Sequence, residues 1–144
     1  MKEQMIRPIA ICVCRDAGRI LVAEAYDSRK EQVFYRPLGG TIEFGERGEE
    51  AVRREFREEI STDLIGVQYL GTLENIFIYE GRHGHEIVMV YDGRLSDDSL
   101  YKKELIAGDE FGHPFKAVWK HLEDFKPGMP PVYPDGLLDL LNRI

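Results

Sequence analysis

The sequence predicts an α/β fold in which helices cover both faces of a mixed β-sheet, giving an α/β/α sandwich. Apolar segments typical of strands lie on both sides of one central amphipathic helix, and a second amphipathic helix closes the chain. A sheet that buries both faces needs a helical layer on each, which two helices can supply. With 144 residues the chain can bury one substantial core, so we expect a single domain over residues 1–144.

The first three predicted strands precede the central helix. Residues 9–14 form a continuous apolar run, residues 16–18 (Asp-Ala-Gly) are typical of a turn, and residues 19–26 return as the second strand of a hairpin. Residues 34–38 form the third strand, which ends at the pair Gly39-Gly40. The sequence therefore predicts that a loop begins at this glycine pair and leads into the central helix.

The central helix is predicted over residues 48–60. Val52, Phe56 and Ile60 recur at helical spacing and form an apolar stripe. Residues 96–113 are polar and acidic without clear periodicity, so we expect an irregular lid or binding loop there. The later predicted elements are strands over residues 64–73, 75–79, 85–95 and 115–120, a turn over 80–84 and a closing helix over 135–144.

Composition excludes several classes of function. The formal net charge of −7 argues against a nucleic-acid-binding surface, which normally carries a basic patch. The sequence has no apolar run long enough to span a membrane and no signal-peptide pattern, so we expect a cytoplasmic protein without a membrane partner. Cys12 and Cys14 would share one face of a strand, where we expect them to fill the core.

Three carboxylates are concentrated on one face of the central helix. Glu55, Glu58 and Glu59 stand at i, i+3 and i+4, where like charges repel one another. A solvated surface is the ordinary explanation for such a group, but these residues border the apolar stripe instead of the opposite, arginine-rich arc. A divalent cation removes the repulsion, and Mg²⁺ is commonly held by a few carboxylates together with substrate phosphates. The pattern therefore predicts a metal site for phosphate chemistry, in which cations separate the acidic protein from an anionic substrate.

The residues around this helix follow a longer pattern, written G-x5-E-x7-R-E-U-x-E-E-x-G-U with U a bulky apolar residue. Six of its seven fixed positions match, and Phe56 fills the first U; the matches are Gly40, Glu46, Arg54, Glu55, Glu58 and Glu59. Through this pattern, which spans residues 40–62, the chain resembles the Nudix hydrolases. Two positions depart from it, since Ser61 replaces the final glycine and Thr62 replaces the closing apolar residue.

The resemblance implies a fold, a reaction and a set of site residues. It implies the Nudix-type α/β/α sandwich and the hydrolysis of a diphosphate linkage in a nucleoside diphosphate derivative, with Mg²⁺ as cofactor and Mn²⁺ as an alternative. Carried over by position, the main-chain carbonyl of Gly40 joins the three helix carboxylates as metal ligand. Glu46 supports the metal site from outside, and Arg54 orients the glutamates. The catalytic set is therefore Glu55, Glu58, Glu59 and Arg54.

The sequence leaves the identity of the general base open between two groups of acidic residues. Members of the family use either a glutamate of the pattern or an acid on a later loop. Glu58 and Glu59 are the first choices in this sequence. The later-loop alternatives are Glu104, Asp109 and Glu110.

Candidate substrate-binding residues are few. Arg36 could reach a phosphate, or it could form an ion pair at the strand edge. Tyr79 lies 17 residues beyond Thr62, and a tyrosine near this spacing accompanies dinucleoside polyphosphate substrates in the family, although aromatic residues are common in strands. Glu110 is the third candidate substrate contact.

Two functions compete at this point. The first is an Mg²⁺-dependent pyrophosphohydrolase acting on a small nucleotide, and the second is a non-catalytic Nudix-fold domain that binds a nucleotide for regulation. Every carboxylate of the pattern is kept, which favours the enzyme. Homodimers are common in the family, so a homodimer is an expectation for the oligomeric state.

Overall fold

A mixed β-sheet of eight strands lies between two helices in the computed structural model, which describes residues 4–144. This confirms the predicted α/β sandwich. The strands are β1 (Ile6–Cys12), β2 (Arg15–Asp16), β3 (Arg19–Asp27), β4 (Gln32–Thr41), β5 (Leu64–Tyr79), β6 (Arg82–Leu95), β7 (Leu105–Glu110) and β8 (His113–His121). The helices are α1 (Gly48–Ile60) and α2 (Leu137–Asn142). Within residues 4–144 no helix has the length and apolar character needed to cross a bilayer.

The strand order is β5-β6-β1-β4-β3-β8-β7, with the short β2 paired to β3. Among the strand pairs of residues 4–144, β1–β6 is parallel and the others are antiparallel. β4 joins the two halves of the sheet, because its residues 38–41 pair with β1 while residues 32–37 pair with β3. The end of β4 that carries the glycine pair is therefore held by β1, beside α1.

Each face of the sheet has its own buried cluster. On one face Val52, Phe56 and Ile60 of α1 pack against the sheet, as their helical spacing predicts. Cys12 and Cys14 are unpaired thiols in this same cluster, which confirms their predicted role in the core. On the other face α2 covers the sheet through a second set of apolar residues, which includes Leu137, Leu141, Ile9, Ile11 and Val90.

The segment over residues 96–113 corrects the sequence prediction of an irregular loop. It contains a 3₁₀ helix (Asp98–Lys102) and then the strand β7, which pairs with β8 at the edge of the sheet. Only Ile106 and Gly108 of β7 are buried. An edge strand with so little buried apolar surface has almost no periodic signal in the sequence.

Several other predicted boundaries also change. β4 continues through Gly39 and Gly40 to Thr41, where a loop was predicted to begin, and β6 begins at Arg82, inside the predicted turn over 80–84. The segments predicted as strands over 64–73 and 75–79 form the single strand β5. The closing helix is shorter than predicted, because Gly136 adopts a left-handed conformation (φ 86°) and α2 begins only after it. The predicted range of the central helix, residues 48–60, is confirmed.

The two departures from the sequence pattern lie where α1 ends. Ser61 takes the left-handed conformation (φ 55°, ψ 40°), and its N–H donates to the carbonyl of Arg57 at 3.2 Å. A glycine would adopt this conformation without steric cost. Thr62 is buried, and its hydroxyl lies 3.2 Å from Ser96 Oγ and accepts a hydrogen bond from the Asp97 N–H at 3.3 Å. The polar contacts of Thr62 with Ser96 and Asp97 thus replace the apolar contact that a bulky apolar residue would make at position 62.

We expect Ser61→Gly to stabilise the protein by about 0.5 kcal/mol, because relief of the left-handed strain exceeds the added entropy of the unfolded chain. Ser61→Ala keeps the Cβ and therefore provides the matched control, which should bring no gain. Urea denaturation of the two variants and the wild type measures the difference. Equal midpoints for all three proteins would contradict the strain argument.

Candidate active site

An acidic cleft of about 310 Å³ lies between α1 and the turn that joins β7 to β8. Its lining residues are Glu55, Glu58, Glu59, Asp109, Glu110 and Phe111. The fold therefore brings the three predicted helix carboxylates together with two of the three later-loop acids. Glu104 is not among the lining residues.

The three helix carboxylates differ in burial. Glu55 and Glu59 are only 5% and 6% exposed, whereas half of the Glu58 side chain is accessible. Glu59 Oε1 is buried and has no hydrogen-bond partner among residues 4–144. Burial, together with the nearby Glu55 and the charge of Glu110, raises the pKa of Glu59 to about 9. At neutral pH this group is therefore protonated, and a cation in the cleft would favour its ionised form.

Arg54 connects the loop before α1 to the helix carboxylates. Its guanidinium donates to both oxygens of Glu46, at 2.8 and 3.0 Å, and to the Thr41 carbonyl at 3.0 Å. It also donates to Glu55 Oε1 at 3.0 Å and to Glu58 Oε2 at 3.3 Å. The hydrogen bonds from Arg54 lower the pKa of Glu46. This geometry suits the orienting role predicted for Arg54 and the outer position predicted for Glu46.

The glycine at the end of β4 leaves room for one of these carboxylates. A Cβ on Gly40 would lie 2.6 Å from the Glu55 carboxyl carbon and from its Oε1. The helix residue Glu55 therefore reaches the backbone of β4 only because residue 40 has no side chain. The Gly40 main chain thus lies beside Glu55, which lines the cleft, and the resemblance predicts a metal-ligating carbonyl at this glycine.

These residues suit a divalent cation, although their side chains are held by other contacts. Within residues 4–144 no three acidic, histidine or cysteine side chains are arranged to hold a metal ion as they stand. Glu58 is turned towards Arg54, while Glu59 keeps an unpartnered buried oxygen. A hard cation prefers oxygen ligands. It could be coordinated by the unpartnered oxygen of Glu59 and fit in the space beside Gly40. The residues that would hold it are Gly40, Glu55, Glu58 and Glu59.

The predicted substrate residues divide between the acidic cleft and a second, larger cavity of about 750 Å³. Glu110 lines the cleft, while Arg36 and Tyr79 line the large cavity. The positive charge of Arg36 acts to lower the pKa of Glu59, so this side chain lies near both spaces. No acidic side chain within residues 4–144 forms an ion pair with Arg36.

Sequence reasoning missed the polar lining of the large cavity. Asn75 and Glu86 are only 5% and 3% exposed, yet both line this cavity, as does Asp135. The available signal is weak: Asn75 interrupts an apolar-rich strand, and Glu86 opens the apolar run 87–90. It also missed Phe111, whose side chain is 82% exposed beside the acidic cleft.

We expect Gly40→Ala to lower Mg²⁺ affinity about tenfold or more while leaving the fold intact, because the new methyl group displaces the Glu55 carboxylate. Calorimetric Mg²⁺ titration measures the effect. Gly39→Ala is the comparison: its Cβ would overlap the Ala10 backbone, and its φ is +152°. That variant should instead lose about 2 kcal/mol or more of folding free energy. Undiminished Mg²⁺ affinity in Gly40→Ala would exclude the proposed contact.

We expect the stability of the metal-free protein to fall by about 3 kcal/mol between pH 6 and pH 8. The pKa of Glu59 is about 9 in the folded protein and roughly 4.3 in the unfolded chain, so in this range only the folded state keeps the proton. Stability is therefore lost as the pH rises, and Mg²⁺ should restore it. Urea denaturation with a chelator measures the slope, which Glu59→Gln should flatten. The half-exposed Glu58→Gln should keep the wild-type slope.

Comparisons with known proteins agree with the fold. The family model described as NUDIX domain matches residues 5–136. The solution structure of the E. coli ORF135 protein is 20% identical, with a TM-score of 0.59 over 97% of this chain and 91% of that chain. A MutT NUDIX hydrolase from Burkholderia pseudomallei is 19% identical, with a TM-score of 0.61 over 98% and 99%. A NUDIX hydrolase from Nitrosomonas europaea is 14% identical, with a TM-score of 0.66 over 96% and 87%. Because the family model covers most of the sequence, the chain belongs to the Nudix hydrolase family.

Proposed function

We propose that this protein is an Mg²⁺-dependent hydrolase that cleaves a diphosphate linkage in a nucleoside diphosphate derivative. The observation that carries the proposal is the set of helix carboxylates beside Gly40, held by one arginine and opening into a cleft. Glu55 and Glu59 are buried with too few hydrogen-bond donors around their carboxylates, which costs folding free energy. A bound divalent cation would offset this cost. Mn²⁺ has the same preference for oxygen ligands and is the alternative ion.

The large cavity supports a nucleotide as the substrate. Its volume of about 750 Å³ lies within the usual range for small-molecule sites, and its walls include Phe34, Tyr79 and Tyr133. Arg36 lies near both the cavity and the acidic cleft, where it can bind a phosphate group. One structural neighbour is an ADP compounds hydrolase, 18% identical, which is consistent with a nucleotide-type substrate.

The reaction then follows from the placement of the charges. A divalent cation held by Gly40, Glu55, Glu58 and Glu59 would neutralise phosphate charge and lower the pKa of a water molecule bound to it. Glu58 or Glu59 accepts the proton of the attacking water at a carboxylate oxygen as a new P–O bond forms. The anhydride P–O bond breaks, and one phosphate-bearing fragment leaves. Arg54 keeps the carboxylates in position, and Arg36 holds a phosphate of the substrate.

A phosphate-release assay across a panel of nucleoside diphosphate derivatives, with and without Mg²⁺, tests this proposal. We expect turnover of at least one substrate that requires the metal ion. The non-catalytic alternative predicts nucleotide binding without turnover for the whole panel. Metal-independent turnover would also contradict the proposal.

A further inference from the structure

The large cavity contains a buried carboxylate whose partners are too distant to satisfy it. Glu86 on β6 is 3% exposed and lines the cavity. One oxygen, Oε1, is 3.4 Å from Asn75 Nδ2, and the other, Oε2, is 4.0 Å from an Arg7 guanidinium nitrogen. A buried carboxylate normally accepts several short hydrogen bonds. Glu86 therefore retains most of its accepting capacity for a molecule in the cavity.

An internal ion pair does not account for Glu86. The Arg7 side chain is half exposed and donates to Thr41 Oγ1 at 2.6 Å, so its guanidinium is directed to the end of β4. At 4.0 Å its contact with Glu86 is outside hydrogen-bond range. Within residues 4–144 the one hydrogen bond to this buried carboxylate is therefore the long one from Asn75, which offsets little of the loss of its water.

Asn75 lies directly across the β5–β6 pair from Glu86. Its Oδ1 accepts the Asp135 N–H at 3.2 Å, which fixes the amide so that Nδ2 lies on the side of Glu86. The amide NH₂ group makes no other hydrogen bond within residues 4–144. The polar end of the cavity therefore presents a carboxylate with two acceptor oxygens beside one free N–H donor.

Aromatic side chains form the apolar part of the same cavity. The Phe34 ring lies 5.8 Å from the Tyr79 ring and 5.6 Å from the Tyr133 ring, both edge to face. All three residues line the cavity. Aromatic walls beside a small number of fixed polar groups are typical of a pocket for a planar heterocycle.

We propose that the cavity holds the nucleobase of the substrate and that Glu86 and Asn75 select a guanine. This inference rests on the proposed function for its substrate class. The N1–H and the 2-amino group of guanine would donate to the two oxygens of Glu86, and O6 would accept from Asn75 Nδ2. Adenine and cytosine would each turn a ring-nitrogen acceptor towards the carboxylate, and hypoxanthine lacks the 2-amino group.

The test compares guanosine monophosphate with inosine monophosphate by calorimetry in the presence of Mg²⁺. The two probes differ only by the 2-amino group, so the phosphate contribution cancels in the ratio of their affinities. We expect wild-type protein to bind the guanine nucleotide about tenfold more tightly or better. Glu86→Gln should bring this ratio close to one, whereas Glu74→Gln, an exposed position on β5, should leave it unchanged.

The wild-type ratio alone can overturn the inference, so the test does not depend on whether Glu86→Gln folds. Equal affinity for the two monophosphates would overturn it. Hydrolysis of the nucleotide panel without guanine preference would also overturn it and would leave the proposed hydrolase intact. Preferential binding of guanosine monophosphate without hydrolysis of any substrate would support the pocket and contradict only the proposed reaction.

Discussion

Replacing Glu58 or Glu59 by Gln is expected to lower kcat/KM by about 10³-fold or more while leaving the fold intact. Both substitutions keep the shape of the side chain and remove its negative charge. Without that charge the side chain can neither bind a cation strongly nor accept the proton of the attacking water. Steady-state hydrolysis of the best substrate of the panel measures the loss, and circular dichroism verifies the fold.

A matched control exists on the same helix. Glu49 pairs with Arg53 at 3.1 Å and does not line the acidic cleft, so Glu49→Gln should keep wild-type turnover. Raising the Mg²⁺ concentration separates the two roles, because excess metal should partly rescue a variant that lost a ligand but not one that lost the base. Wild-type rates in both Glu58→Gln and Glu59→Gln would refute the assignment. Asp109 and Glu110, which also line the cleft, would then be the next acids to replace.

Replacing Arg54 by Ala is expected to destabilise the protein by about 2–3 kcal/mol and to weaken Mg²⁺ binding about tenfold or more. The Arg54 side chain is 22% exposed, and its removal takes away the ion-pair partner of the mostly buried carboxylates of Glu46 and Glu55. Unpaired buried carboxylates cost more than the lost contacts alone. Urea denaturation and calorimetric titration measure the two effects.

The Arg54→Lys variant distinguishes the role of Arg54 in positioning the carboxylates from the effect of its positive charge. Lysine keeps the positive charge but cannot donate simultaneously to both Glu46 oxygens and to the Thr41 carbonyl as the guanidinium does. We therefore expect it to recover part of the stability while Mg²⁺ affinity stays low. Arg57, whose ion pair with Asp63 is exposed, is the control, and Arg57→Lys should change neither quantity. Unchanged Mg²⁺ affinity in Arg54→Ala would contradict the positioning role.

The spacing of acidic and apolar residues along the central helix was predictable because it is a local property of the chain. The i, i+3, i+4 carboxylates and the apolar stripe both follow from the geometry of one helix, whose range the structure confirms. The reach of Arg54 was not predictable in the same way. Its contact with Glu58 follows from i, i+4 spacing on the helix, but its hydrogen bonds to Glu46 and to the Thr41 carbonyl depend on how the segment before α1 packs against the helix.

The large cavity depends on pairings that sequence periodicity does not contain. The β5–β6 register shifts twice, between Ile65 and Gln68 and between Tyr69 and Gly71. Without these two shifts Asn75 would lie opposite Gly84 instead of Glu86. Irregularities of this kind add a residue to one strand, and their positions are set by contacts across the whole sheet.

The sequence by itself determined the α/β fold class, the central helix and the set of acidic residues along it, since each depends on neighbours within a few positions. Only the tertiary structure decided which of these carboxylates are buried and that Asp109 and Glu110 face them from the end of β7. It also decided that Arg36 lies near both the cleft and the cavity. The physical reason is that burial and long-range pairing depend on how the sheet and α1 pack together, and one-dimensional spacing carries no measure of that packing.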